Sequence, residues 1–168
     1  PNHVMTMLNS DVRIPDRYGG IISTVSLATF WALPEGMSLG DPRTLYDPTT
    51  GRWISTVLSD FYGAESSVLF AISATENPTG VWTFYRIDAD PIDVDWADFP
   101  DIGYNGTWIA ITSNMFRIAD DLIFSGVAMW VIDKSTALVG GALTITYFPV
   151  GSDLFGGLNG FSIRPCQT

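Results

Sequence analysis

Short apolar runs separated by turn residues recur along the whole chain, and hardly any window has the length or the 3.6-residue spacing of a helix. The runs at 4–8, 11–14 and 21–25 predict three strands, and a Pro/Gly-rich loop at 34–42 follows them. Further strands are predicted at 43–46, 52–58, 67–73, 81–87, 102–104, 107–113, 122–133, 142–148 and 161–164. Residues 88–101 read as an acidic loop, and 119–122 as the one place where a helical turn fits. The pattern is that of an all-β chain.

An internal repeat organises these strands. Pro42-Arg43-Thr44-Leu45-Tyr46 leads through Asp47-Pro48-Thr49-Thr50-Gly51 to Trp53, and Pro100-Asp101-Ile102-Gly103-Tyr104 leads through Asn105-Gly106 to Trp108. Both copies keep the Pro-to-Tyr spacing, and only the hairpin loop changes. Asn105-Gly106 suits a type I′ turn, which needs two positive φ angles. Gly51 offers a left-handed position in the longer loop. The matched tryptophans, Trp53 and Trp108, read as core. Repeat starts fall near residues 42, 100 and 165, so 1–168 reads as a single all-β domain of β-propeller blades. It holds about three blades or fragments of them, an interior stretch of a larger ring that the rest of a longer propeller or identical protomers would complete. A two-sheet β-sandwich is the alternative.

Charge and composition narrow the function. Lys and Arg number 8 against 18 Asp and Glu, a formal net charge of −10, so phosphate backbones and anionic lipid surfaces are repelled and no nucleic-acid partner is expected. No apolar run reaches the roughly 18 residues of a membrane-spanning helix, so no membrane insertion is expected. No apolar leader opens the sequence. One histidine, His3, and one cysteine, Cys166, cannot supply a zinc or iron–sulfur ligand set, and no disulfide can form within the chain. Serine–histidine catalysis has only His3 to recruit, and neither Gly140-Gly141 nor Gly156-Gly157 is followed by the Lys and helix of a phosphate loop.

If the three repeat prolines mark equivalent strands, Asp41, Asp98 (with Asp101 just inside) and Arg164 meet at one channel mouth. Such a group can cap turns, bind a cation or ligand, or supply the paired acids of a glycosidase. The densest acid run contains Asp93, Asp95 and Asp98, oxygen ligands that suit calcium, against the plainer reading of a solvated loop. No other cofactor is expected. Trp31 and Trp96, placed in loops, are the candidate exposed platform for carbohydrate.

Segments 40–53 and 70–82, with "DP…YD…G-x-W" and "AIS-x-T-x-x-P-x-G-x-W" motifs, resemble blades of secreted bacterial β-propeller proteins. Residues 97–100 with 114–116 fit a following blade, so the resemblance covers most of the chain. It implies an extracellular or cell-surface protein, acting as a non-catalytic binding or structural module. The same segments are similar to five-bladed glycoside hydrolases, which would make Asp41 a catalytic carboxylate assisted by Asp98 or Asp101. No general-acid glutamate can be matched among Glu35, Glu65 and Glu76, and the sialidase Asp-box spacing is absent. On these residues an enzyme is the second reading, the module the first.

Overall fold

The computed structural model describes residues 1–33, 37–151 and 160–168; the predicted loop around Glu35 and the Gly156-Gly157 pair lie outside them. The chain is all-β, with three antiparallel sheets. Sheet I holds β1 (Thr6–Met7), β2 (Asp11–Pro15) and β3 (Ile21–Ser26), followed by the one-turn helix α1 (Leu27–Phe30). Sheet II is a meander of β4 (Leu39–Asp47), β5 (Arg52–Ser59), β6 (Ser67–Ser73) and β7 (Trp82–Asp88). Sheet III is a second four-strand meander, β8 (Asp95–Tyr104), β9 (Trp108–Arg117), β10 (Asp120–Asp133) and β11 (Ile145–Phe148), with helix α2 (Lys134–Leu138) between the last two strands.

The sheets stack face to face with sheet II in the middle. Ile54, Leu58, Val68, Phe70 and Ile72 point from sheet II toward Ile102, Ile109, Ile111 and Trp130 of sheet III, all buried. The alternate residues Trp53, Val57, Leu69 and Ala71 point the other way, toward Val12 and Ile14 of sheet I and Met5 just before β1. A strand covered on both faces has no solvent side to make polar, which is why β5 and β6 read as continuous apolar runs rather than alternating ones. Layered meanders of this kind fit a partial propeller and a sandwich alike, and none of the three sheets closes into a barrel.

The repeat is structural as well as sequential. β4 and β8 are the first strands of their sheets, and each carries a bulge just before its proline, between Gly40 and Arg43 and between Asp98 and Asp101. Asp41 (φ 55°) and Phe99 (φ 49°) take the left-handed conformation there. Proline disfavours αR for the preceding residue, and the bulge absorbs the extra residue. The Tyr104 hydroxyl donates to the Tyr46 carbonyl at 2.9 Å, joining equivalent positions of the two copies.

Several local expectations are corrected. Residues 95–101, read as acidic loop, belong to β8, whose alternation is interrupted by the bulge. Residues 119–122 form no helical turn; 118–119 make a hairpin turn and β10 starts at Asp120. Residues 161–164 are irregular, and the two short helices went unread because a single turn leaves no periodicity. Gly51 does take a positive φ, 66°, but neither Asn105 nor Gly106 does. Instead the Asn105 side-chain oxygen accepts from the amides of Thr107 and Trp108 at 2.8 Å each, which holds the turn without a type I′ backbone.

Trp108 is likewise not core. Tyr46 pairs with Trp53, whereas Tyr104 pairs with Ile109, so Ile109 is the residue equivalent to Trp53. Trp108 sits one position earlier, on the opposite face, and is 43% exposed while Trp53 is 6%.

Candidate functional site

The bulges of β4 and β8 bring the predicted mouth residues together in part. Asp41 and Asp98 are each half-buried on neighbouring first strands. The Asp98 carboxyl is pushed above its ordinary value, first by burial and then by the charge of Asp41, although the Phe99 amide hydrogen-bonds to it and pulls the other way. Asp41 is fixed from sheet I, its amide donating to the Asn9 side-chain oxygen at 2.8 Å. Arg164 lies beside Asp101 rather than in the Asp41/Asp98 pair, with Nε 3.2 Å from Oδ2. The segment carrying it runs across sheet III: the Ile163 carbonyl accepts from the Thr112 hydroxyl and the Thr168 amide donates to the Tyr104 carbonyl. A pair of carboxylates of which one resists ionisation can cap turns, share a proton or hold a cation.

The acid run does not form one cluster. Asp93 is exposed in a turn, with φ 54°. Asp95 is buried, accepts from the Ser125 hydroxyl at 2.6 Å and faces Arg117 at 3.6 Å. Asp98 belongs with Asp41. Asp90, not singled out in the sequence, is the organiser: its carboxylate accepts from the amides of Ile92, Val94 and Asp95. Among the described residues no group of three or more His, Cys, Asp or Glu side chains is placed to hold a metal ion.

The two tryptophans expected to be exposed are buried. Trp31 caps α1 at its C-terminal end and is 3% exposed, packed between sheets I and II against Phe30 and Phe84. Trp96 lies in β8, 4% exposed, beneath Tyr62 (ring centroids 4.5 Å) and Phe116 (5.3 Å). Trp31 does stand in a turn, the one that ends α1, whereas Trp96 belongs to β8, and both side chains are turned inward.

The accessible aromatic surface lies elsewhere, on β7. Trp82 and Phe84 alternate along that strand on the face toward sheet I. Phe30 of α1 meets both edge-on, at 5.0 and 5.7 Å. With the hydroxyl residues Ser23, Thr29 and Thr79 they line a cleft of about 290 Å³ between the outer strands of sheets I and II. The Trp82 indole N–H is occupied by the Pro78 carbonyl at 2.8 Å, which fixes the ring. The period-2 spacing of Trp82 and Phe84 was the sequence signal for this face; the partner ring from α1 had none.

The opposite junction, between sheets II and III, is clasped by Lys134. Its Nζ lies 2.6 Å from Oδ2 of Asp47 and donates to the Asn105 carbonyl at 2.5 Å, 4.8 Å from the Tyr104 ring centroid. Asp47 also accepts from Thr49 and Thr50. Burial alone would raise its carboxyl; Lys134 and the two threonines outweigh burial and hold it far below the ordinary carboxylate range.

Comparisons with protein-family models, with curated proteins and with solved structures give no match. No helix among the described residues is long and apolar enough to cross a membrane.

Proposed function

We propose that the chain is a non-catalytic binding or structural β-propeller module of a secreted or cell-surface protein. The reading rests on one observation: sheets II and III repeat the same bulge, proline and hairpin and stack face to face as consecutive blades do. Its neighbours would be further blades of a longer propeller or identical protomers, packing on the free faces of sheets I and III. The ligand class is carbohydrate, taken up by the aromatic cleft of Phe30, Trp82 and Phe84, where ring faces meet the apolar faces of sugars and the threonine hydroxyls meet their oxygens.

Electrophoresis through gels containing soluble polysaccharides tests the binding half. Retardation of the native chain is expected with at least one polysaccharide, and Trp82→Ala should weaken it by about tenfold, roughly 1.4 kcal/mol. Unchanged retardation in Trp82→Ala and Phe84→Ala removes the cleft from the function.

One observation favours a glycoside hydrolase as second reading, the placing of Asp41 near a half-buried Asp98 whose carboxyl burial raises above its ordinary value. Neither lines the aromatic cleft. Release of reducing sugar by the native chain, lost in Asp41→Asn, would decide for the enzyme.

A further inference from the structure

We propose that, given the carbohydrate reading of the aromatic cleft, on which this rests, its ligand is an uncharged glycan that clamps sheet I to sheet II. Charge decides the kind of glycan. None of the described residues that line the cleft is charged. A uronate, sulfate or phosphate group entering it would lose water and meet no cation, and the net charge of −10 opposes the approach of any polyanion. The walls offer ring surface and hydroxyl oxygens instead. With its indole N–H held by the Pro78 carbonyl, Trp82 meets a ligand through the apolar ring. The Thr79 hydroxyl donates to the Asn77 side-chain oxygen at 2.8 Å, which leaves its lone pairs to accept from a sugar O–H. A cleft of about 290 Å³ stands at the small end of ligand pockets, roughly 300–1,000 Å³, and suits a short stretch of glycan.

The clamp follows from where the walls stand. Ser23 of β3 with Thr29 and Phe30 of α1 belong to one wall, and Thr79, Trp82 and Phe84 to the other. Whenever sheet I detaches, the first wall leaves with it. The junction between the two sheets is also bonded unevenly. On its β4 side the Asp41 amide donates to the Asn9 side-chain oxygen at 2.8 Å, and the Thr44 hydroxyl donates to the Met5 sulfur at 3.7 Å. On its β7 side, among the described residues, no hydrogen bond or ion pair joins 1–33 to 74–88. Rings alone meet there: Phe30 against Trp82 at 5.0 Å and Phe84 at 5.7 Å, and Trp31 against Phe84 at 5.5 Å. The cleft opens on this unbonded side, so a glycan hydrogen-bonded to both walls supplies the link that the chain itself lacks.

Amide hydrogen exchange of the full chain tests the clamp, run without ligand and with cellopentaose, laminaripentaose, mannopentaose or pentagalacturonate. With a neutral pentasaccharide at about a hundred times its Kd, exchange in β2 and β3 should slow about a hundredfold, by the same factor as in β5 and β6, because the detached and the unfolded states both lose the ligand. Slowing confined to β5 and β6 places the glycan on sheet II alone and overturns the clamp, with the carbohydrate reading intact. Slowing by pentagalacturonate and by no neutral sugar overturns the charge assignment. No change with any of the four overturns the proposal as a whole, and gel retardation by polysaccharides then shows whether the carbohydrate reading falls with it.

Discussion

At the scale of single residues, the half-buried Asp98 and the fully buried Asp47 behave in opposite ways. Asp98 ionises reluctantly because burial and Asp41 oppose its charge. Its folded pKa lies above the unfolded one, so its contribution to stability is present below the ordinary carboxylate range and is lost as pH rises through the raised value. Asp98→Asn should therefore raise the thermal midpoint at neutral pH and leave it unchanged in acid, as melting curves across pH would record. Asp47 is the reverse case, a buried acid satisfied on every side. Lys134→Met strips away its cation and leaves a buried charge unpaired, which costs about 3–5 kcal/mol in such sites. Chemical denaturation of the variant measures it.

Elements show where local pattern sufficed and where it did not. The hydrophobic runs located most strands, and the Pro-to-Tyr repeat located the two equivalent first strands. Register was the weak point. The hairpin loop is Pro48–Gly51 in one copy and Gly106-Thr107 in the other, one position beyond the Asn105-Gly106 turn that the sequence suggests, and in this register Ile109 rather than Trp108 takes the inward position of Trp53. Composition could not reveal that slip, because both residues are large and apolar. The site was legible in the same uneven way: the repeat placed Asp41 beside Asp98, but the burial of Trp31 and Trp96 depends on sheets that meet only in three dimensions. The C-terminal segment adds a contact no pattern announces. A Cβ on Gly103 would lie 2.6 Å from the carbonyl oxygens of both Pro165 and Cys166. Gly103→Val should drive that segment off sheet III, seen as faster proteolysis within 160–168 while the sheet stays folded.

Over the whole molecule, stability concentrates in the central layer. Phe70 is fully buried in β6 and stacks on Tyr85 at 5.7 Å. Phe70→Ala removes a large side chain from the sheet II–sheet III core and should cost about 3–5 kcal/mol in denaturant unfolding. On the outside, Val4 and Leu8, which flank β1, and Ile21 and Ile22, at the start of β3, remain exposed.

Sheet II has a cover on each side, and sheet I has one. Amide protons report that asymmetry as a hierarchy in time. The backbone N–H groups of β5 and β6 can meet solvent deuterium only when both neighbouring layers part, so their exchange should track global unfolding. Those of β2 and β3 need only the detachment of a three-strand flap. Sheet I should thus open before sheet II, and the interval between the two exchange rates measures how firmly sheet I is held.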